Sequence, residues 1–474
     1  MVSASLLPPE ILSQIFIHCL SLTKYPTQYM QPDVTIAPML LCQISSRWRH
    51  VALNTPRLWE VLAHTSYNPI YPPRACDWKL IRDVDFLFLE WWRSNLRNLP
   101  PSLCLRICGG GSGSTTRELL MRRSPPHEPT NGPKYDEFFG SFIQSARILD
   151  LDDNMGRSLE QWLHGKRLEC PHMETFLVQG STSFDVFNLL PEKSGTPLQR
   201  LIMSSVSVRG NRPLHDIWHS LAHICLRSVS IHIKTWFTLI RQLSRVETAW
   251  FDIVLYTYGD FSSPSPATND NLRQLHIAVD NMLEFEDRKK HLIFDNLRLP
   301  SLCALRIDFD MSLDGLDFLL QSTPALKELH LGNHVLYDEE DMMSVIPGPK
   351  SMVVPLSTLE KVPALEHVLL TLRNEVCAVN VANMLQDMIN NPWLQLGQNV
   401  NNIKRVEACL YRGEDWEMQN FQDIDVMTSI LRSMGVEFIL GDPGNFNVWD
   451  WESRKADVHW EASIGDFKFH GDFT

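Results

Sequence analysis

Residues 302–307 read LCALRI, and two closely similar stretches lie on either side of them, LRQLHI at 272–277 and LKELHL at 326–331. In all three, apolar residues occupy the first, fourth and sixth positions. The last three positions alternate apolar, polar, apolar, which is the period of a β-strand with one buried face. Each stretch therefore predicts a short strand whose fifth residue points away from the core.

The same pattern recurs along most of the chain, in ten alignable copies. The first eight begin 20 to 30 residues apart, and the last two follow at 39 and 38 residues, which indicates insertions. Leucine-rich repeats have a period of about 20–29 residues. The pattern resembles degenerate leucine-rich repeats, because the asparagine expected after the last apolar position is mostly absent. An α/β fold with short, similar buried strands is the alternative. The copies begin at Ala146, Met173, Leu198, Leu226, Val246, Leu272, Leu302, Leu326, Leu365 and Ile403.

The segments between the copies carry helical signals in places. A helix-like apolar stretch at 86–96 precedes the repeats, and apolar residues at helical spacing recur within the array. Helices that return between parallel strands place this chain in the α/β class. The helices predicted within the array cover residues 136–145, 216–225, 235–243, 314–321 and 381–389.

Two blocks near the N-terminus have a different character. Residues 6–16 read LLPPEILSQIF, in which proline and Glu10 suit the first turn of a helix and the apolar residues repeat every three to four positions. Residues 40–49 read LLCQISSRWR, and TPRLW follows at 55–59. By periodicity alone these blocks predict a small helical hairpin.

The residue pattern of the blocks resembles the F-box, and especially the fungal F-box-like family with its Thr-Pro-x-Leu-Trp continuation. The resemblance implies a three-helix module that inserts apolar side chains into a groove of the Skp-type adaptor of a cullin–RING ubiquitin ligase. Some of the candidate residues must instead form the module's own core. The candidates for adaptor binding are Leu7, Pro8, Ile11, Leu12, Ile15, Leu40, Leu41, Ile44 and Trp48.

These features divide the chain into four parts. We expect an F-box-like helical module over 5–62, a helical connector over 63–101 and the repeat array over 102–441. An acidic cap or tail follows over 442–474, and residues 335–474 carry 22 Asp/Glu against 10 Lys/Arg, which accounts for most of the net charge of −13.

The strands of a solenoid line one continuous binding surface, so outward positions are candidates for substrate contacts. The mixture of charged and aromatic residues at these positions suits a protein-binding surface, although a solvated strand face would have the same composition. The candidates are Asp150, Trp250, His276, Arg306 and His330 at the fifth position, with Asp152 and Asp308 two residues further on.

Composition and motifs exclude several functional classes. The net charge of −13 argues against nucleic-acid binding, and no apolar run of about 18 residues predicts a membrane span. Ten cysteines in 474 residues are too few for a disulfide scaffold, and no signal peptide is evident. We therefore expect a protein of the cytoplasm, the nucleus or both.

No hydrolase signature of the G-x-S-x-G or H-E-x-x-H type occurs. His215, His219 and His223 would form one stripe on a helix over 216–225, which could bind zinc only with a converging third ligand. We expect a solvated stripe, no metal, no cofactor and no enzymatic activity. The function expected is substrate recognition in an SCF-type ubiquitin ligase, and the alternative is an interaction scaffold with no ligase role.

Overall fold

A computed structural model of the chain shows helices at the N-terminus, followed by parallel strands that are repeated along the sequence. The described residues form two compact units, one reaching residue 206 and including 216–220, the other running from 221 to 441. The described residues are 7–20, 35, 37–67, 83–108, 140–153, 170–182, 198–206, 216–256, 267–279, 297–308, 311–332, 336–337, 359, 362–372, 386, 389–390, 403–410, 418–433 and 435–441.

Three helices and one 3₁₀ turn make up the N-terminal region. Helix α1 spans Pro9–Cys19, with proline at its start and Glu10 in its first turn, as the sequence predicts. Helix α2 spans Leu41–Ile44 and α3 spans Ser46–Leu53. They are separate helices because Ser45 is extended, and its hydroxyl accepts a hydrogen bond from the Trp48 N–H (3.1 Å) as an N-cap. The 3₁₀ turn spans Pro56–Trp59.

The core of this helical region is centred on Trp59. Its indole N–H donates to the Ala52 carbonyl (3.0 Å), and its own carbonyl accepts from the Trp92 indole (2.8 Å). Trp92 belongs to helix α4, Asp83–Leu96, which is the helix predicted at 86–96. The two indole rings meet edge to face, 4.9 Å apart. Both indole N–H groups are thus satisfied inside the core, as buried polar groups require.

Among the residues that the structure describes, five parallel strands build the first unit. Each pairs with the next in sequence order: β1 Val61–Tyr67, β2 Ser102–Cys108, β3 Ile148–Asp153, β4 Thr175–Thr182 and β5 Arg200–Val206. Within the connector predicted over 63–101, the structure describes strand β1 as far as Tyr67 and helix α4 from Asp83. The helix predicted over 136–145 is present at residues 140–144.

In the described part of the second unit there are eight longer parallel strands, together with two short pairs, β8 with β10 and β12 with β14. Helix α5, Ile233–Gln242, and helix α6, Leu313–Gln321, confirm two helix predictions. Helix α7, Met418–Ser433, precedes the last strand. The strands are β6 His223–His232, β7 Thr248–Tyr256, β8 Ala267–Thr268, β9 Gln274–Val279, β10 Leu297–Arg298, β11 Ala304–Asp308, β12 Met311–Ser312, β13 Glu328–Gly332, β14 Leu336–Tyr337, β15 His367–Leu372, β16 Arg405–Leu410 and β17 Glu437–Gly441.

A backbone hydrogen-bond ladder connects successive repeats at the residue after the first apolar position. Within the second unit the N–H of Arg273 donates to the Glu247 carbonyl (2.9 Å), and Cys303 donates to Arg273 (2.7 Å). Lys327 continues the ladder to Cys303 (2.8 Å). Equivalent bonds join Glu174 to Arg147 (2.8 Å) in the first unit. The repetition of one bond at each step shows that the copies are structural repeats.

One copy is placed incorrectly by the sequence pattern. The predicted start at Leu226 is wrong, because Leu226 pairs with Phe251, the sixth position of the next copy. The true start is Leu221, which is fully buried like the other first-position residues. A β-bulge at Ser228, whose φ is +49°, shifts the register between β6 and β7 and so creates a second apparent match in the same strand.

Apolar residues of strands and helices form the core. Trp236 of α5 and Phe251 of β7 are both fully buried and meet edge to face, with ring centroids 4.7 Å apart. The predicted fold class is confirmed: an α/β protein with a small helical N-terminal region and a solenoid of parallel strands. The acidic segment 442–474 lies outside the described residues.

Candidate functional site: two interaction surfaces

The apolar residues of helix α1 lie on two faces, one buried and one exposed. Leu12 and Phe16 lie on the inner face and are essentially inaccessible. Ile11 and Ile15, one position before each, are 48% and 40% exposed. Residues four apart lie above one another on a helix, so Ile11 and Ile15 form one outward pair.

The apolar residues of the second block, residues 40–49, also divide into buried and exposed ones. Leu41 is buried, whereas Leu40 and Ile44 are 42% and 52% exposed. These two residues are also four apart: Leu40 directly precedes helix α2, and Ile44 is its last residue. Ile11, Ile15, Leu40 and Ile44 are therefore four exposed aliphatic side chains in a region of about fifty residues, and we call them the exposed aliphatic set.

Side-chain contacts hold the two blocks together. The Phe16 and Trp48 rings are 4.8 Å apart, which packs α1 on α3. The Arg47 guanidinium donates to the Leu7 carbonyl ahead of α1. The Thr55 hydroxyl hydrogen-bonds the Ser13 hydroxyl (3.0 Å). Because these contacts come from both blocks, the two exposed pairs are carried on one packed scaffold.

The other predicted adaptor residues differ from one another in burial. Pro8 is exposed at the start of α1, and Leu7 is half-buried. Trp48 is half-buried, with its ring against Phe16. Leu12 and Leu41 belong to the core, which removes them from the candidate contacts. Burial thus distinguishes the residues of the module's own core from those that are exposed, and adaptor binding by the exposed residues stays a prediction.

In the first unit, strand register places the two predicted acidic contacts beside residues of β2. Asp150 pairs with Cys104, and Asp152 pairs with Arg106. On the other side Asp150 pairs with Leu177 of β4. Asp152 therefore lies next to a basic residue of the neighbouring strand, and Asp150 lies between uncharged residues.

In the second unit, fifth-position residues lie in register across neighbouring strands. Trp250 pairs with His276, and His276 pairs with Arg306. Arg306 pairs with His330, which is only 1% exposed and so presents almost no surface to a partner. Asp308 lies two residues beyond Arg306, in register with Ala278.

One further residue, which the sequence analysis did not single out, also lies on this surface. Arg227 lies at the bulge of β6, and its guanidinium carbon is 5.0 Å from the Trp250 ring centroid, a cation–π arrangement. The Trp250 ring in turn lies 4.7 Å from the His276 ring, with 38° between the planes. Arg227 was missed because the copy was assigned to Leu226; counted from the start at Leu221, it lies two residues beyond the fifth position and pairs with Asp252 of β7.

Ion pairs line the starts of the strands. Arg147 lies between Glu60 (3.0 Å) and Glu174 (3.6 Å) in the first unit. In the second unit Lys404 pairs with Glu366 (2.8 Å). The hydrogen bond from Lys404 and its positive charge hold the pKa of the Glu366 carboxyl below its usual value. The Arg147–Glu174 and Lys404–Glu366 pairs connect successive repeats, and the Arg147–Glu60 pair joins the start of β3 to the residue before β1.

The predicted histidine stripe does not form. His219 lies on a 3₁₀ turn, Asp216–Ser220, and His223 begins strand β6, so the helix predicted over 216–225 is wrong. The His223 ring nitrogen Nδ1 is 2.8 Å from the Thr248 hydroxyl. His215 lies outside the described residues, as does most of the helix predicted over 381–389. Among the residues that the structure describes, no group of three metal-ligating side chains is present.

Two thiols are buried within the repeats. Burial raises the pKa of Cys170 to about 12, and burial likewise raises the pKa of Cys225 to about 12. Both are therefore protonated at neutral pH and poor nucleophiles. They pack as small apolar side chains.

These features define a class of protein: an α/β solenoid of parallel strands that repeat along the chain, preceded by a helical region. A scan against protein-family models finds no match, and no curated protein matches the sequence. Among solved structures, a leucine-rich-repeat protein of Leptospira interrogans aligns over 81% of this chain and 91% of its own, at 10% identity and a TM-score of 0.25. At that score the assignment rests on this chain's own strand pairing. No helix in the described ranges is both long and apolar enough to cross a membrane.

Proposed function

We propose that this chain is a substrate-recognition subunit of an SCF-type cullin–RING ubiquitin ligase. The N-terminal helices bind a Skp-type adaptor, and the strand faces of the repeats bind a protein substrate. Ubiquitin transfer is carried out by the assembled complex in the cytoplasm, the nucleus or both, and this chain contributes proximity. The observation that supports the proposal is the exposed aliphatic set within the F-box-like blocks.

The four side chains of the exposed aliphatic set are apolar and are in contact with water. Each half-exposed isoleucine or leucine would gain on the order of 1 kcal/mol from losing its remaining contact with water. Two pairs at a spacing of four residues suit helix-in-groove recognition, in which a few central aliphatic residues carry most of the binding energy. The residues between them already form the core, so the set is available without unfolding the module.

Co-purification tests this proposal directly. The full chain is co-expressed with a Skp-type adaptor, and the wild type is compared with the Ile11→Asp/Ile15→Asp variant. We expect the wild type to retain the adaptor and the variant to lose it. The control is Val426→Asp/Ile430→Asp, because these two residues of α7 are also four apart and are 60% and 39% exposed. The absence of adaptor from the wild-type sample would contradict the proposal.

The alternative is an interaction scaffold with no ligase role. One observation favours it: the 3₁₀ turn ending at Trp59 leads almost directly into β1, the first strand of the first unit. Terminal repeats of a solenoid need a cap, and the helical region stands where such a cap is required. On this alternative the wild type binds no adaptor, and the Ile11→Asp/Ile15→Asp change leaves partner binding intact.

A further inference from the structure

Three exposed arginines lie on the outward side of helix α3, on the 3₁₀ turn after it and at the end of α4. Residues 34–59 contain three arginines and no Asp or Glu, although the whole chain has a net charge of −13. Arg49 belongs to α3 and Arg57 to the turn, and Arg97 directly follows α4. All three side chains are exposed. We call these three residues the basic rim.

The charge of the basic rim is not neutralised by neighbouring carboxylates. Among the residues that the structure describes, none forms an ion pair with a member of the rim. The Glu60 carboxylate, three residues after Arg57, is paired with Arg147 instead, at 3.0 Å. Glu90 precedes Arg97 by seven residues, which is about 10 Å along the helix axis. The rim is therefore a local positive surface on an acidic chain.

The hydrogen bonds of the rim engage only part of each guanidinium. Arg49 Nε donates to the Cys42 carbonyl (2.7 Å), and Arg97 Nη2 donates to the Asn54 side-chain oxygen (2.7 Å). A guanidinium has five N–H donors, so most donors of these exposed groups remain available to a partner. Arginine binds carboxylates through parallel N–H bonds, which makes these groups suited to an acidic surface.

Arg49 joins the rim to the exposed aliphatic set. The Cys42 carbonyl that it contacts belongs to α2, the helix that Leu40 precedes and that ends at Ile44. The guanidinium therefore lies against the same short helix that presents one exposed aliphatic pair. A protein that covers this pair also comes within reach of the positive charge.

The backbone of Arg97 adopts a conformation that glycine favours. Its φ is +59°, in the left-handed region, which is strained for a residue with a side chain. Near the end of α7 the chain places Gly435 in this region, with a φ of +84°. Glycine at position 97 would remove the strain, and the exposed bond to Asn54 contributes little stability. Strained residues cluster at functional sites, so we expect the Arg97 side chain to act in binding.

We propose that the basic rim contacts an acidic face of the protein that binds the exposed aliphatic set. That protein carries carboxylates beside its apolar groove, and the rim attracts and orients them during encounter. This inference rests on the proposed function in taking that protein to be the Skp-type adaptor. Charges at the edge of an interface act mainly on the association rate, whereas most other interface changes act on the dissociation rate.

Association kinetics of the wild-type full chain with a purified Skp-type adaptor are the first test. We expect the association rate constant to fall by roughly tenfold or more between about 0.05 and 0.5 M NaCl, because salt screens the attraction. The dissociation rate constant should change much less. Adaptor binding with a salt-independent association rate overturns this inference alone, and absence of adaptor binding overturns the ligase role as well.

Variants of the rim separate charge from other properties of the side chains. Arg49→Gln/Arg57→Gln/Arg97→Gln should lower the association rate constant by roughly tenfold at low salt. Arg49→Lys/Arg57→Lys/Arg97→Lys keeps the charge and should associate almost as fast as the wild type. A lysine variant as slow as the glutamine variant overturns the electrostatic role. The salt dependence is measured on the wild type, so it decides the result even if a variant folds poorly.

A matched control removes the same total charge elsewhere. Arg245→Gln/Arg273→Gln/Arg298→Gln replaces three exposed arginines of the second unit. This control should associate at the wild-type rate, and equal rates of the control and the glutamine variant of the rim overturn the proposal. A DNA duplex of about 20 base pairs is the second probe, because phosphates also attract arginine. If the rim variant loses binding to DNA while adaptor association is unchanged, the proposal is overturned in favour of a nucleic-acid site.

Arg97→Gly tests whether arginine is kept at this position for binding or for stability. The change removes both the guanidinium and the backbone strain. We expect the midpoint of urea unfolding to stay unchanged or to rise, while association with the adaptor becomes slower. A lower midpoint would show that Arg97 is kept for its bond to Asn54, and it would overturn the assignment of Arg97 to the rim.

Discussion

Phe16 of the first helix and Trp48 of the third lie against each other, with ring centroids 4.8 Å apart and an angle of 49° between the rings. Phe16 is completely buried, and Trp48 covers it while remaining half-exposed. The contact joins the two N-terminal blocks, residues 6–16 and 40–49, and so packs helix α1 on helix α3. The face of α1 that carries Phe16 is buried and stabilises the module, whereas the face that carries Ile11 and Ile15 is exposed and available for binding.

Replacing Phe16 by Ala should destabilise the helical region. Phe-to-Ala changes in cores cost about 3–5 kcal/mol, because apolar contact is lost and a cavity remains. Hydrogen exchange measured by mass spectrometry on α1 should therefore become faster. Phe318→Ala is the control, since Phe318 of α6 is 46% exposed and its truncation should cost less than about 0.5 kcal/mol. Unchanged protection of α1 in the Phe16 variant would show that this contact is not part of the core.

The Ile11→Asp/Ile15→Asp variant should keep the stability of the wild type. Both side chains are exposed, and surface changes away from special features stay within about 0.5 kcal/mol. Leu12→Asp should instead lower the free energy of unfolding by about 3 kcal/mol, because it places a polar group in the core. Urea unfolding of the three proteins measures this difference. A large loss of stability in the double variant would mean that the exposed aliphatic set is structural.

Cys170 and Cys225 should resist alkylation in the native protein. Burial raises the pKa of each thiol to about 12, and only the thiolate is an effective nucleophile. Iodoacetamide labelling at pH 8, read by peptide mass spectrometry, should modify exposed Cys19 first and these two only after denaturation. Rapid native labelling of Cys225 would contradict the burial of the β6 strand.

The Glu366–Lys404 pair should respond to pH in a defined direction. Lys404 holds the pKa of Glu366 below its usual value, with a smaller contribution from Lys327. The pair therefore stabilises the fold above the ordinary carboxyl pKa, and this is lost as pH falls through the lower folded value. In the Lys404→Met variant the pKa of Glu366 should rise towards its usual value, as measured by NMR titration. The effect should be small and should diminish in high salt, because the pair is exposed.

Much of the fold was predictable because it depends on local periodicity. Apolar residues at strand spacing placed nearly every repeat on an observed strand, and helical spacing predicted α5 and α6. The failures have identifiable causes. The copy assigned to Leu226 was displaced by the bulge at Ser228, and the histidine stripe at 216–225 gave way to a 3₁₀ turn and a strand.

The candidate site was predictable only as a set of positions. The two F-box-like blocks indicated which residues are apolar, but Ile11 and Leu12 are adjacent and similar in the sequence, and one is exposed while the other is buried. Periodicity shows which residues share one face of a helix, but it does not show which face the rest of the protein covers. What packs against that face comes from α3 and the turn at Trp59, which lie some forty residues away.

The sequence by itself determined the class of architecture, because repeated apolar spacing dictates strands that can be buried only by stacking on their neighbours. The tertiary structure alone decided which side chains are available for contact. It buried His330, exposed Ile11, Ile15, Leu40 and Ile44, and placed the Arg227 guanidinium 5.0 Å from the centroid of the Trp250 ring. The physical reason is that periodicity is a property of neighbouring residues, whereas exposure depends on what distant segments cover.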